Sequence, residues 1–309
     1  MSKIIIALGG NALGNSPNEQ LELVKQAAEP IVDLVEQGHD VIVTHGNGPQ
    51  VGAINLAFTI GSKENKNIPI MPFPECGAMS QGYIGYHLQN KIYEELKKRN
   101  IKKNVATVTT QVLVNISDPA FNNPTKPIGS FYSKEEAEKL MRETEDIYIE
   151  DSGRGYRKVI PSPTPIKVIE RDTINMLVDS GTIVISVGGG GIPVIEKGNS
   201  LIGVEAVIDK DIASECLAEE LNADYLFILT AVDRVAINFN KPNQRDIDKM
   251  SVKEAEEWIK EGQFPAGSML PKVQAALKFV KSKPGRKSII SSLEKTKEAI
   301  LGKNGTIIY

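Results

Sequence analysis

The chain has 309 residues, 41% of them apolar and 24% charged, with a formal net charge of −3. That length buries a large core, in one elaborated α/β domain or two lobes, and the balanced composition excludes disordered and fibrous classes. The weak negative balance offers nucleic acid no general field, so any positive charge that a phosphate ligand needs must be local.

The first predicted element is a buried strand over 3–8, running into the turn Gly9-Gly10-Asn11. Nothing ahead of it reads as a signal peptide, and no apolar run is long enough to span a bilayer. Cys76 and Cys216 lie far apart, which argues against a disulfide framework or a metal site. The expectation is a cytoplasmic protein with no membrane contact and no metal-ligating side chains. A helical pattern over 18–37 leads to a second strand, 40–44, and a second turn, His45-Gly46-Asn47-Gly48-Pro49. A strand ending in a glycine turn before a helix leaves backbone N–H groups free to meet an anion. Gly9, Gly10, Gly46 and Gly48 let a ligand approach the backbone, and the Asn11 amide can donate to a phosphate oxygen. One such turn alone reads best as a tight connection. Two in one chain suggest two anionic groups held close together, as phosphoryl transfer requires. Neither turn has the spacing of a P-loop or of a dinucleotide-binding fingerprint.

A helix over 76–99 and a strand over 104–113 precede a break in the alternation. Between 115 and 165 lie Pro119, Pro124, Pro127, Pro161, Pro163 and Pro165, around one short charged helix at about 133–145. Proline stiffens connections and disfavours continuous helix, so this segment reads as an inserted subdomain, a lid, against the plainer reading of a surface excursion. Within it Lys126, flanked by prolines, sits on a stiff loop where ordering against a substrate costs less entropy. Arg154, Arg157 and Lys158 suit a phosphate or solvent equally.

A helix over 170–180 and a strand over 183–187 lead into Gly188-Gly189-Gly190-Gly191. Four glycines cannot pack as core; they fit backbone lying against a ligand, a facing loop or a hinge. Asp209-Lys210-Asp211 opens a helix over 211–221. It is either a lysine paired by two carboxylates and offered to an anion, or an exposed acidic helix start. The strand 225–230 ends in Thr230-Ala231-Val232-Asp233, a polar tip suited to a nucleoside. After a helix over 251–261, Gly267-Ser268-Met269 suits a turn and cap, with Pro271 in the first turn of a helix over 272–283. That puts Lys272 near a helix start, where the dipole does not favour a cation, so an anionic ligand competes with the commoner solvated lysine. A strand over 287–290 closes the series. The alternation of apolar strands and helices predicts a mostly parallel sheet covered on both faces, with ligands at the carboxyl ends of its strands.

Together Gly9–Leu13, Thr44–Gly52, Pro124–Gly129, Gly153–Arg157, Pro161–Pro165, Gly188–Pro193, Val204–Asp211, Ala231–Asp233 and Pro265–Val273 resemble the carbamate kinases of the amino-acid-kinase family. The resemblance runs from residue 3 to about 308. It implies a single amino-acid-kinase domain over 1–309, α/β in class, a three-layer αβα sandwich with a mainly parallel central sheet and a small protruding lid subdomain. In that frame 1–114 plus 166–180 form mainly the acceptor lobe, 115–165 the lid and 181–309 mainly the nucleotide lobe. The implied reaction is Mg²⁺-dependent transfer between ATP and carbamate, giving ADP and carbamoyl phosphate, with Mg²⁺ carried mainly by the nucleotide phosphates. A homodimer that makes ATP during breakdown of arginine or a related nitrogen compound is also implied.

Carried over by position, Lys126, Lys210 and Lys272 are the catalytic lysines. Gly9, Gly10, Asn11, Gly46, Asn47, Gly48, Gly189 and Gly190 line the carbamate and phosphoryl site. Asp209, Lys210, Thr230, Ala231, Val232, Asp233, Gly267, Ser268, Met269 and Lys272 border the nucleotide. Several relatives acting on carboxylates have a catalytic lysine two residues before the first glycine pair, where this chain has Ala7. The positive charge must then come from elsewhere, with Lys126 the obvious supplier. Carbamate is already a nucleophilic anion, so in-line attack needs no general base and His45 is not assigned as one. Another carboxylate kinase, a biosynthetic producer of carbamoyl phosphate and a catalytically silent nucleotide sensor are the rival readings.

Overall fold

Alternate residues of the first strand feed two separate cores. Ile5 and Ala7 join one cluster, while Ile4, Ile6 and Leu8 join another. A strand apolar without a break from Ile4 to Leu8 is what burial on both faces requires. The structure, a computed structural model, describes every residue except Met1, Gly10, Asn11, Ala12, Asn15, Glu145 and Ser152. The expectations placed on Gly10 and Asn11 lie outside the described residues.

The chain opens with β1 (Lys3–Leu8), α1 (Pro17–Glu36), β2 (Asp40–His45), α2 (Gly48–Glu64), α3 (Phe73–Lys98) and β3 (Val105–Thr107). It continues through β4 (Gln111–Val114), β5 (Lys126–Tyr132), α4 (Lys134–Glu143), β6 (Ile147–Glu150), β7 (Tyr156–Ile160) and β8 (Pro165–Val168). Then come α5 (Arg171–Asp179), β9 (Ile183–Ile185), β10 (Ile192–Lys197), β11 (Ser200–Gly203), α6 (Lys210–Glu220) and β12 (Tyr225–Thr230). The last part comprises β13 (Val235–Ile237), β14 (Arg245–Ile247), β15 (Lys249–Met250), α7 (Val252–Lys260), α8 (Met269–Ser282), β16 (Lys287–Ser292), α9 (Thr296–Ile300) and β17 (Thr306–Ile308).

Eight strands form the central sheet in the order β15-β17-β16-β12-β1-β2-β9-β3. β1 runs parallel to both neighbours, with Ile5 beside Leu226 and Ile42; β17 is antiparallel to β16. Residues of α1, α3 and α9 fill the core on one face, and residues of α5, α6, α7 and α8 fill it on the other. This is the expected α/β sandwich with a mainly parallel sheet. The helix α1 shows how the sequence builds such a layer. Ser16 accepts the Glu19 N–H at its start, Pro17 follows, and Val24, Ala27, Ala28, Ile31, Val32 and Val35 are buried at helical spacing. Each fully buried Val or Ile there stabilises the fold by about 1.5–3 kcal/mol. Among the described residues no helix is long and apolar enough to cross a membrane.

Three local expectations need correction. The single strand over 104–113 is two, β3 in the central sheet and β4 in a second sheet ordered β11-β10-β4-β8. The Gln81 side chain on α3 turns the chain between them, accepting the Thr110 N–H at 2.8 Å and donating to its carbonyl at 3.0 Å. A whole helix, α2, follows the second glycine turn, and the sequence pattern missed it. Its buried residues are confined to Gln50, Val51 and Gly52, so it carries no apolar stripe. The inserted segment has more order than its prolines suggested: β5, β7 and β6 form an antiparallel sheet, against which α4 packs. Lys126 is therefore the first residue of a strand and not part of a loop. This small sheet seats on α2, where a Cβ on Gly52 would lie 2.7 Å from the Gly129 Cα.

Candidate active site

At the carboxyl ends of β1 and β12 the molecule opens into a cavity of about 810 Å³. The first turns of α6 and α8 bring its charge. Asp209 caps α6, its Oδ1 accepting the Asp211 N–H at 2.9 Å, which leaves Oδ2 to accept from the Lys126 ammonium at 2.5 Å. Asp211 receives two more lysines, Lys210 on Oδ1 and Lys272 on Oδ2, the latter at 2.7 Å. Three lysines remote in sequence thus meet on two neighbouring carboxylates.

The electrostatics follow from burial. Enclosure alone would raise the Asp211 carboxyl, but the Lys210 and Lys272 ammonium groups outweigh it and hold the group down at about 2. Burial lowers the Lys210 ammonium, with Lys272 repelling it and Asp211 pulling the other way. Both Lys210 and Lys272 sit in a first helical turn, where the dipole disfavours cations. Asp211 offsets that cost without a ligand, and a phosphate would offset it with one.

The nucleotide-side expectations converge here. Gly9, Lys126, Asp209, Lys210, Lys272, Thr230 to Asp233 and Gly267 to Met269 all line this one cavity. Ser268 stands at the N-cap of α8 but makes no side-chain cap bond. A Cβ on Gly9 would lie 2.8 Å from the Leu229 carbonyl, so the first turn must carry glycine there to clear β12. Ala7 is fully buried among core residues.

The other glycines stand apart from the cavity wall. The Gly46 N–H donates to the Leu8 carbonyl at 3.2 Å, and its own carbonyl accepts from His45 Nδ1 at 2.8 Å. Burial pushes the His45 imidazole down to about 4, so it is neutral at physiological pH. Asn47 is buried and donates to the Ser80 hydroxyl at 2.8 Å. Gly48 begins α2 with open space where a Cβ would be. The run 188–191 packs against facing protein: Gly189 (φ +66°) against the Asn47 amide and Gly190 (φ +93°) against the Ile208 carbonyl, at 2.1 and 2.2 Å from an added Cβ.

Sequence reasoning missed the outer wall. Arg234, Ala236, Phe239, Gln244 and Asp246 line the cavity from the β13–β14 hairpin. The available signal was Asn238-Phe239-Asn240. Both asparagines adopt left-handed backbone and hold the half-exposed Phe239 between them. Among the described residues no group of three or more His, Cys, Asp or Glu side chains could hold a metal ion.

A model of the amino acid kinase family matches residues 2–291. The chain is 56% identical over 306 residues to the carbamate kinase-like protein YqeA of Escherichia coli, covering 99% of this chain and 98% of the relative. It is 55% identical over 308 residues to a carbamate kinase of Staphylococcus haemolyticus, covering 100% of this chain and 99% of the relative. The structure of carbamate kinase from Giardia lamblia bound to AMP-PNP matches with a TM-score of 0.91 at 43% identity, covering 99% of this chain and 98% of that one.

Proposed function

The chain belongs to the amino acid kinase family, and from that premise we propose that it transfers a phosphoryl group reversibly between ATP and carbamate, forming ADP and carbamoyl phosphate. The observation that carries this reading is the meeting of Lys126, Lys210 and Lys272 on Asp209 and Asp211 inside the cavity bordered by Thr230–Asp233 and Gly267–Met269.

Carbamate and the γ-phosphate are both anions, and the transferred group spreads its charge over the equatorial oxygens. Catalysis is then mainly a matter of positioning and of fixed positive charge. Asp211 supplies the positioning: it holds two ammonium groups side by side that would otherwise repel. An incoming phosphate takes over those ammonium groups, and Lys126 meets it from the inserted segment once released from Asp209. A carbamate oxygen attacks phosphorus in line. Carbamate needs no base to ionise it, and neutral His45 is left in its bond to the Gly46 carbonyl. Mg²⁺ would enter on the nucleotide phosphates and neutralise part of their charge. Residues 115–165 act as the lid, 1–114 plus 166–180 mainly hold the acceptor through Gly9, Gly10, Asn11 and the Gly46–Gly48 turn, and 181–309 mainly hold the nucleotide. The protein works as a cytoplasmic homodimer, making ATP as arginine or a related nitrogen compound is broken down.

The test is ATP formation from ADP, Mg²⁺ and carbamoyl phosphate, with acetyl phosphate and N-acetylglutamyl phosphate as competing donors. Selective use of carbamoyl phosphate is the expected result. Selective use of another acyl phosphate reassigns the acceptor, and ADP binding without any turnover overturns the reaction in favour of a nucleotide sensor.

A further inference from the structure

The seam between α6 and α8 carries a second ion pair, farther from the cavity than the first on both helices. Asp211 and Lys272 meet at the cavity; Glu215, four residues along α6, accepts from Lys278 on α8 at 2.7 Å. Partners advance together on the two helices, so α6 and α8 run side by side in the same direction with both N-termini at the cavity.

Glu215 is fully buried, and its Oε1 has no hydrogen-bond partner. Its ammonium partner, Lys278, is half exposed and lies 4.0 Å from Glu219 as well. An enclosed carboxylate with one oxygen unpaired costs the fold more than a well-packed neutral side chain would. Stability alone therefore does not account for it. Geometry supplies another reason. When phosphate draws Lys210 and Lys272 away from Asp211, the Asp211–Lys272 bond no longer fixes α8 against α6. The Glu215–Lys278 bond does not line the cavity and can stay closed throughout.

We propose that Glu215 and Lys278 form a positioning clamp, which sets the register of α8 against α6 and so the spacing of Lys210 and Lys272 over the transferred phosphoryl group. This inference rests on the reaction proposed above.

The test compares wild type, Lys278→Arg, Lys278→Met and the double variant Glu215→Gln/Lys278→Met. It reads kcat and KM for ADP in ATP formation, ADP affinity by calorimetry, and Tm. Lys278→Met leaves the buried Glu215 carboxyl without its cation and lowers Tm; the double variant removes the ionisable group and regains Tm. A clamp gives a kcat roughly tenfold down in both, with KM for ADP within about twofold of wild type, because misplaced lysines weaken the transition state chiefly. Lys278→Arg, which keeps the bond, retains the wild-type kcat. If kcat recovers with Tm in the double variant, the pair is structural only and the clamp is overturned. A wild-type protein that binds ADP but forms no ATP overturns the reaction and the clamp with it.

Discussion

The loops at the carboxyl edge of the sheet are built in two contrasting ways. On the β12 side, α6 and α8 bring charge: three lysines and two aspartates in direct contact, around open space. On the β2 and β9 side, the glycines of 46–48 and 188–191 bring an absence of side chains, and much of the space this leaves is filled by protein. Gly189 meets Asn47, Gly190 meets Ile208, and Gly191 meets Val112. A glycine-rich run is therefore ambiguous in a way that a buried lysine is not. It marks where backbone must come close to something, and here the close partner is a facing loop. A buried ammonium in a first helical turn is costly without an anion, so its presence demands one close by, and here Asp211 fills that place before any phosphate does.

The widest test of that contrast is to remove charge on one side. Lys210→Ala and Lys272→Ala should each lower kcat about a hundredfold, near 3 kcal/mol of transition-state stabilisation, with the fold retained. Steady-state kinetics beside a melting curve reads both, and near-normal turnover in either variant would remove that lysine from the mechanism. The matching change on the other side is Gly190→Ala. Its Cβ would press on the Ile208 carbonyl at positive φ, so a loss of about 3 kcal/mol in folding stability is expected. Urea unfolding measures it; an unchanged midpoint would mean the loops can part easily.

Two carboxylates one turn apart on α6 sharpen the charged side, since their pH dependences have opposite sign. Glu215 is pushed by burial up to about 7, against the pull of Lys278. A folded pKa raised above the ordinary 4.5 gives stability that is complete below 4.5 and lost as pH rises through 7, by up to about 3 kcal/mol. Asp211, held down at about 2 by its lysines, gives stability present above 3.8 and lost as pH falls through 2, about 2 kcal/mol. Unfolding free energy against pH should therefore flatten above 4.5 in Glu215→Gln and below 3.8 in Asp211→Asn. Parallel curves for variant and wild type would contradict the assignment. The smallest effect is expected for Gly48→Ala, whose Cβ meets nothing and which lies in the first turn of α2. Stability should stay within about 0.5 kcal/mol, so a fall in turnover there would be due to a ligand approaching that backbone.

How much of this was legible in the sequence depends on what kind of contact decides each element. β1, β2, β9 and β12 were readable because burial on both faces writes a nearly continuous apolar run, whereas β16 buries serines on either side of Ile289 and Ile290 and offered only that pair. The Asp209-Lys210-Asp211 triplet and Lys272 were each readable as charge near a helix start. Their meeting was implied by the family resemblance alone and not by the residues themselves, because it depends on α6 and α8 lying side by side, with Asp211 and Lys272 61 residues apart in the chain. The helix α2 was hidden by its exposure. The break between β3 and β4 was hidden because Gln81, a residue 29 positions away, makes the turn that separates them. The Phe239 wall was hidden because a short hairpin resting on a cavity writes no periodicity of its own.

The pairing of Lys126 with Asp209 has a consequence for how the site would meet its ligands. Every lysine in the cluster already holds a carboxylate counterion supplied by the protein, and three lysines against two aspartates leave one positive charge among the five side chains. Such a site behaves as an ion exchanger. A phosphate that enters swaps places with Asp209 and Asp211 as partner of the lysines, so little free charge is exposed to draw anions from a distance. Its association should then respond only weakly to ionic strength, and selectivity should come from how many ammonium groups a ligand can engage at once.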